Sequence, residues 1–356
     1  MSTHSLAHVG LATILAGSLL IGFIAASKSE SHTSIATLGQ ELFGSVALSV
    51  DRTTSCQSCH NPSHAFADTR PQSIGAGGAR GTRNAPSLVG VAGDPNFFWD
   101  GRRTKLEEAT LDPFTNPAEF GWHSLGEAMQ RLREEPGLGG KFRIAFPDES
   151  AEITPSQVQR ALTAYVASLP IGTSAFDHAK RSRVSLPLEA EQGRKLFDGV
   201  AECSSCHTST GASARFSDNE FHHSGIGNIS QSERLPQLVQ VVTHENLSST
   251  ALGPKVLTDA DWSSLGRFVV SHQPNDIGAF RTPSLRNVAV TAPYMHDGSI
   301  TTLAQAVDHE IYYRSFSRGK PLNLSLTERK AIVVFLESLT DENYLDGVGS
   351  HSQDSR

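Results

Sequence analysis

Two short runs of the chain, 56–60 and 203–207, carry the residue types that point most clearly to chemistry. Both follow the pattern Cys-x-x-Cys-His, with Cys56, Cys59 and His60 in the first run and Cys203, Cys206 and His207 in the second. This pattern is typical of covalent c-type haem attachment. Two thiols about one helical turn apart bond to the porphyrin, and the histidine beside them supplies a ligand to the iron. The sequence therefore predicts two covalently bound haem c groups.

Two other uses of the four cysteines are a zinc site and a set of disulfides. Paired zinc motifs usually lie about 12–20 residues apart, whereas these pairs begin 147 positions apart (203 − 56). An all-cysteine zinc site also does not require a histidine at the same offset after each pair. Four cysteines in a chain of this length are too few for a disulfide scaffold. The pattern therefore favours haem over both alternatives.

The composition is that of an ordinary globular protein, with 38% hydrophobic and 19% charged residues. A length of 356 residues allows two domains of usual size. The formal net charge is −7, and no run rich in lysine and arginine is present. These two features argue against a nucleic-acid partner.

The segment 9–26 is uncharged and mostly apolar, and Lys28 with a serine-rich stretch follows it. Its length lies between that of a signal-peptide core and that of a membrane-spanning helix. The small residues 25–27 suit cleavage, so we predict a signal peptide over 1–27, with a retained membrane anchor as the alternative. Export to the periplasm agrees with the haem prediction, because c-type haem is attached outside the cytoplasm.

The rest of the chain shows signs of an internal duplication. A Gly-x-x-Leu-Phe run precedes each haem motif, at 39–43 and at 193–197. The segments 161–169 and 331–339 share their apolar positions and both end in Ser-Leu. Each follows a capping box, Thr154 with Gln157 and Ser325 with Glu328, which marks the start of a helix.

These repeats predict a mainly α fold with two cytochrome c-like helical haem domains. We expect an N-terminal haem domain over 34–172, a C-terminal haem domain over 173–345 and a disordered tail over 346–356. The stretches 73–84 and 208–230 are rich in Gly, Asn and Ser. Such segments do not form long helices, so we expect long ordered loops that wrap the cofactors.

Several further motifs are spread over the whole chain after the N-terminal segment. They are Arg83-Asn84-Ala85-Pro86-Ser87, Phe98-Trp99-Asp100-Gly101-Arg102, Asn116-Pro117-Ala118-Glu119, Arg281-Thr282-Pro283-Ser284-Leu285-Arg286-Asn287 and Thr291-Ala292-Pro293-Tyr294-Met295-His296-Asp297-Gly298. Together with the two haem motifs, they make the chain resemble the bacterial di-haem cytochrome c peroxidases and their MauG-like relatives. The resemblance implies a peroxidatic haem in the first domain and an electron-transfer haem in the second.

The resemblance also assigns roles at the first haem. His60 would be its proximal ligand, Glu119 matches the acid that assists O–O cleavage, and Trp99 matches a bridge between the haems. Reductively activated relatives carry a removable histidine ligand in an Ile-Gly-His-Gly loop, where this chain has Ala76. Because alanine has no donor atom, we expect the sixth coordination position to be open without prior reduction.

The second haem is where this chain departs most from its relatives. His207 would supply one ligand, but the position at which relatives carry Met or Tyr is Glu310, followed closely by Tyr312 and Tyr313. These three residues are the candidates for the other ligand, with no strong ligand as a further alternative. Met295 stands where Met-ligated relatives carry Phe. The resemblance also implies one calcium ion between the haems, bound by Asn84, Thr291 and Pro293.

Three functions follow from this set of residues. The first is reduction of hydrogen peroxide with electrons from a small donor protein, a cytochrome c or a cupredoxin. The second is a MauG-like oxidase that modifies an aromatic residue of a partner protein. Ala76 and the missing Met favour it, but Ala201 replaces the Trp that MauG uses to reach its substrate. The third is a non-catalytic electron carrier, which requires both irons to be six-coordinate. A membrane partner is expected only if the N-terminal segment is retained.

Overall fold

The computed structural model describes residues 35–149, 152–209, 214–227 and 233–345. This part of the chain is mainly helical with long connecting loops, which confirms the predicted fold class. The signal peptide or anchor predicted over 1–27 and the tail predicted over 346–356 lie outside the described residues. Within the described ranges, no helix is both long and apolar enough to cross a membrane.

In the described residues of the first half, six α-helices surround one apolar core. They are α1 (35–44), α2 (Cys56–Cys59), α3 (Leu106–Leu111), α4 (Leu125–Glu134), α5 (Leu138–Ala145) and α6 (Pro155–Ala167). The predicted capping box of α6 is present, because the Thr154 hydroxyl accepts from the Gln157 N–H and the Gln157 side chain accepts from the Thr154 N–H. The apolar residues buried on α6 are Val158, Ala161, Leu162 and Val166. This i, i+3, i+4 spacing is the reason that α6 packs along one stripe.

The second half adds eight helices and two short strands within the described ranges. They are α7 (Ala175–Ser182), α8 (Leu188–Asp198), β1 (Phe221–His223), α9 (Leu235–Glu245), α10 (Ser249–Thr258), α11 (Ala260–Ser264), α12 (Phe268–Ser271), β2 (Ala279–Arg281), α13 (Leu303–Arg318) and α14 (Leu326–Glu337). The two strands pair antiparallel. The capping box of α14, Ser325 with Glu328, is also present as predicted.

The helices of the second half belong to two separate cores. Helices α8, α13 and α14 surround Phe197, Phe216 and Phe335, whose rings pack edge to face. Helices α9 to α12 form a smaller cluster around residues that include Val242 and Trp262. The sequence did not single out this smaller cluster, because its helices belong to neither repeat.

The duplication is visible in how α1 crosses α6 and how α8 crosses α14. A Cβ atom on Gly39 would lie 1.9 Å from the carbonyl oxygen of Ala161, and one on Gly193 would lie 1.8 Å from that of Ala331. Both helix pairs therefore approach so closely that only glycine fits at the crossing. The shared Gly-x-x-Leu-Phe pattern reflects this contact.

The junction between the halves is held by polar contacts. The Asp341 side chain accepts hydrogen bonds from the N–H groups of Gly172 and Thr173, at 3.1 and 2.7 Å. The buried Arg286 forms two hydrogen bonds to Asp177, at 2.5 and 2.8 Å. The Asp341 contacts tie residues 172 and 173, at the predicted boundary, to the end of the second half, and the Arg286–Asp177 pair fixes α7 within the second half. The domain boundary itself, between 172 and 173, stays a prediction.

Candidate active site

Each predicted haem-binding histidine is oriented by its own loop. The Nδ1 atom of His60 lies 3.0 Å from the Phe66 carbonyl, and that of His207 lies 2.8 Å from the Phe216 carbonyl. Because a carbonyl only accepts, Nδ1 carries the proton and Nε2 is left as the metal-binding atom. Burial lowers the pKa of both imidazoles, to about 4 for His207, so the rings are neutral as a metal ligand requires.

The four cysteines suit thioether attachment better than the alternatives. All four are free thiols of intermediate burial. Cys56 packs against the first core and Cys203 against the second, so the two pairs lie in different parts of the fold. In the described part of the chain, the one cluster with metal-binding geometry is Cys206 with Asp218 and His222. The residues therefore do not form a four-cysteine zinc site.

A cavity of about 520 Å³ lies beside the second haem motif. Cys203, Cys206 and His207 line it on one side, together with Trp99 from the first half. Helix α13 and the 280–296 segment line other parts of it. The wall is mostly apolar and also contains Arg281, Arg286 and Arg314. An apolar cleft with several cations suits a flat porphyrin that carries two carboxylates, so these residues fit a haem.

Glu119 lies in a tight turn that fixes its position. The backbone and side-chain oxygens of Asn116 accept hydrogen bonds from the N–H groups of Glu119 and Ala118, each at 3.0 Å. Although Glu119 as a whole is only partly buried, its Oε2 atom is inaccessible and has no hydrogen-bond partner among the described residues. Burial raises the pKa of its carboxyl to about 7, and the nearby Arg102 only partly offsets this.

The loop that carries Ala76 packs directly against this turn. The Ala76 N–H donates to the Glu119 carbonyl at 2.7 Å. A Cβ atom on Gly75 would lie 2.2 Å from the Ala118 carbonyl oxygen, so glycine is required for the approach. Ala76 is buried, and its methyl group has no donor atom. The structure thus places Ala76 and Glu119 side by side.

Trp99 connects the two halves of the chain. Its indole N–H donates to the Asn84 carbonyl at 2.9 Å, and its own carbonyl accepts from the Arg281 N–H at 2.9 Å. The residues predicted to bind calcium, Asn84, Thr291 and Pro293, line the same cavity as Trp99. The Asn84 amide donates to the Arg70 carbonyl, which leaves its oxygen available as a ligand.

The structure separates the three candidates for the second haem's other ligand. Glu310 and Tyr313 line the cavity that contains His207. Tyr312 is 71% exposed and does not line that cavity. Burial raises the pKa of the Glu310 carboxyl. The nearest cation to Glu310 is Arg314, whose Nε lies 3.9 Å from Oε2.

Sequence reasoning missed two buried ion-pair clusters, one within the first half around Asp100 and one between the halves around Asp94. Asp100 is paired with Arg83 at 3.1 Å and Arg102 at 3.0 Å, and Asp94 with Arg215 at 3.1 Å and Arg281 at 3.2 Å. Arg83, Arg102 and Arg281 belong to the motifs given in the sequence analysis, and arginines within motifs were the signal in the sequence that could have indicated buried ion pairs. Each aspartate faces two arginines, so each cluster has one excess positive charge. Arg281 of the second cluster lines the cavity beside the second haem motif, and Arg102 of the first lies near Glu119.

The chain was compared with known protein families and proteins. A family model described as "Di-haem cytochrome c peroxidase" matches residues 33–185. Over 86% of the chain and 81% of the relative, the sequence is 32% identical to "Cytochrome-c peroxidase IdrP2" of Denitromonas iodatirespirans. The chain belongs to the di-haem cytochrome c peroxidase family. Membership in this family implies two c-type haems, in agreement with the two motifs.

Two further comparisons place the chain within the di-haem peroxidase family. "Methylamine utilization protein MauG" of Methylorubrum extorquens is 32% identical over 86% of this chain and 78% of its own length. The crystal structure of a MauG-like protein associated with microbial copper homeostasis superposes with a TM-score of 0.69 and is 29% identical, covering 87% of this chain and 90% of that one. Both named branches of the family are therefore similar to this chain.

Proposed function

We propose that this protein reduces hydrogen peroxide at its first haem, with electrons that a small redox protein delivers through the second haem. The observation that carries the proposal is Glu119. It has a buried, unpaired carboxylate oxygen and a pKa of about 7, and it lies beside Ala76 rather than beside a residue able to ligate iron.

Reduction of peroxide to two waters consumes two electrons and two protons and breaks the O–O bond. When bound, the haem held by Cys56, Cys59 and His60 would supply a site for the peroxide and the electrons for this cleavage. Glu119 takes the proton from one peroxide oxygen and returns it to the departing one. A pKa near 7 suits both steps, because the same group accepts and donates a proton near neutral pH.

Surrounding residues support these roles. Arg102, near Glu119, contributes a positive charge that favours the carboxylate form after proton release. Trp99, hydrogen-bonded to Asn84 and to Arg281, provides an aromatic route for electrons between the halves. We also infer a calcium ion bound by Asn84, Thr291 and Pro293, whose oxygen donors suit a hard cation.

A MauG-like oxidase is the second candidate. The similarity to MauG and the alanine at position 76 favour it. Ala201 is against it, because this residue is buried at 1% exposure and offers no aromatic ring next to the second haem motif. The donor or partner protein would meet the enzyme in the periplasm if the segment 1–27 directs export.

The test uses the full holoprotein in its resting ferric state. We expect electron paramagnetic resonance to show at least one high-spin haem, and stopped-flow absorption to show a reaction with peroxide before any reductant is added. Addition of a reduced small cytochrome or cupredoxin should then give turnover.

A resting protein with only low-spin iron, reacting with peroxide only after partial reduction, would contradict the proposal. Two six-coordinate irons without peroxide turnover would instead indicate an electron carrier. Turnover on a partner's aromatic residue without oxidation of a small donor would favour the MauG-like oxidase.

A further inference from the structure

Glu310 lies at the centre of the α13 face that lines the cavity. The α13 residues that line the cavity recur every three or four positions and are Leu303, Ala306, Val307, Glu310, Ile311, Tyr313, Arg314 and Ser317, with Tyr313 at the edge of the stripe. This spacing is one stripe of a helix. The position of Glu310 on the helix therefore directs it to the cavity, with Ala306 and Val307 one turn before it and Ile311 directly after it. Its side chain is 38% exposed, and part of that surface faces the cavity.

Glu310 has one long ion-pair contact, to Arg314, and no hydrogen bond among the described residues. Among the described residues that line the cavity, it is the one carboxylate. The described residues provide no hydrogen bond to it, and the Arg314 Nε at 3.9 Å is beyond hydrogen-bond distance. Arg314 itself is directed to the Glu202 carbonyl, 3.0 Å away. A carboxylate in a mostly apolar cavity requires a cation or a set of donors to offset its desolvation.

The two tyrosines are less suited to a role in the cavity. Tyr312 points to solvent. The Tyr313 ring is held against Gly225, where a Cβ atom would lie 2.5 Å from two ring atoms. It is also stacked on His309, with ring planes 6° apart. Tyr313 is thus fixed by its neighbours at the edge of the α13 stripe.

The histidines other than His207 that line the cavity are also engaged elsewhere, and the Nε2 of His223 lies 3.0 Å from the Ile277 carbonyl. The His296 ring is stacked on Phe280 with centroids 3.6 Å apart, and its Nε2 lies against Gly227. The Nε2 of His222 is 2.8 Å from the Asp218 carboxylate, and this pair clusters with Cys206 on the motif side. Each of these three rings has a close partner, whereas the contact given for the Glu310 carboxylate is the 3.9 Å one to Arg314.

We propose that the Glu310 carboxylate is the second protein ligand to the iron that His207 binds. This inference goes beyond the proposed function, and it rests on the two haems and not on peroxidase activity. An anionic oxygen ligand stabilises ferric iron and so lowers the reduction potential. The second haem would then be a low-potential centre that releases electrons readily.

The experiment compares the parent with Glu310→Gln, Glu310→Met and Tyr313→Phe. Asp308→Asn is the matched control, because it removes a 52% exposed carboxylate from the same helix. Mass measurement first establishes that each variant keeps both haems. Spectroelectrochemical titration then gives the midpoint potential of the second haem, and cyanide titration gives its affinity for an added ligand.

Glu310→Gln should change the oxidised-to-reduced ratio of the second haem at a fixed potential at least tenfold toward reduced, which is about 59 mV for a one-electron couple. Its cyanide affinity should rise at least tenfold, because the position is no longer occupied by a charged ligand. Glu310→Met should raise the potential further, since a thioether favours ferrous iron. Asp308→Asn should change neither quantity.

Three results would overturn the inference. One is a Glu310→Gln variant with the parent's potential and cyanide affinity. Another is a Tyr313→Phe variant that shifts these quantities as much as Glu310→Gln or more. The third is a parent protein whose second haem already has the high potential of thioether ligation, which would assign the ligand to Met295. If Glu310→Gln loses haem, the Glu310→Met variant and the parent potential decide in the same way.

Discussion

The two halves share the framework that holds the predicted haem-binding histidine, meaning the glycine helix crossing and the carbonyl that orients the ring. They differ in the residues predicted to face the other side of each haem. In both, a glycine permits the helix crossing, and a backbone carbonyl orients the histidine. The first half places a carboxylate, Glu119, on a turn with its Oε2 sealed from solvent. The second places Glu310 on a helix that lines the cavity. The comparison indicates that the shared framework determines where a haem is attached. The Glu119 turn in the first half and α13 in the second then determine what each haem does.

This contrast also separates two uses of a partly buried carboxylate. Glu119 has neighbours that hold its backbone but none that satisfies Oε2, so it is able to exchange a proton. Glu310 faces a cavity in which the proposed partner is a metal. If this distinction is correct, removing the two charges has different consequences, a loss of rate in the first half and a change of potential in the second.

The largest expected effect is on the first half's carboxylate. Glu119→Gln preserves the shape but removes the base, and a positioned general acid–base contributes roughly 10²–10⁴ in rate. We expect the rate constant for the reaction with peroxide, measured by stopped flow, to fall within this range. Glu127→Gln is the control, because that side chain is 51% exposed on the same half. A Glu119→Gln variant as fast as its parent would place the acid–base group elsewhere.

The second prediction is the pH dependence of the same reaction. Burial raises the pKa of Glu119 to about 7, so the basic form is depleted as the pH falls below 7. The rate constant should therefore fall about tenfold for each pH unit below 7 and level off above it. Glu119→Gln should show a flat profile over this range. A profile in the parent that is flat from pH 5 to 8 would contradict the assignment of Glu119 as the base.

The third prediction tests the shared frame. Gly39→Ala and Gly193→Ala each force a methyl group into a backbone carbonyl, at 1.9 and 1.8 Å. We expect each to lower the free energy of unfolding by about 3 kcal/mol, the upper end for overpacking. Chemical denaturation of the holoprotein, followed by circular dichroism, measures this. Gly139→Ala, whose new Cβ would have its nearest neighbour at 3.9 Å, should not destabilise.

The smallest expected effects are at the two capping boxes. Thr154→Ala and Ser325→Ala each remove the side-chain oxygen that accepts from the third helical residue. Each should lower the free energy of unfolding by about 1 kcal/mol. Equal losses in both variants would support equivalent frames, whereas a loss in one half alone would show that the repeats differ in how firmly α6 and α14 are held.

Local patterns predicted the frame well. The capping boxes at Thr154 and Ser325 were visible because a cap depends on residues three positions apart, and the glycines at 39 and 193 stood out through repetition. The repeats also gave the correct fold class. Helices α9 to α12 were missed, because they occur once and carry no residue with distinctive chemistry.

The residues that face each haem on the side opposite its histidine were less predictable, because they come from segments distant in sequence from the haem motifs. A count along the chain reached Glu310, Tyr312 and Tyr313 together, and only the helical rotation of α13 separates exposed Tyr312 from Glu310 in the cavity. The pairing of Asp94 with Arg215 and Arg281 joins segments more than 100 positions apart. No local pattern in the sequence indicates such a contact.

The first core has a consequence for the order of folding. Val290, which is 1% exposed, belongs to this core, and Tyr344 packs against it, although both come late in the chain. The hydrophobic core of the first half is therefore not completed by residues of the first half alone. Because contacts between distant positions form slowly, we expect this half to remain incomplete until the far end of the chain has docked. The two halves would then fold in a single concerted step, because residues of the second half complete the core of the first.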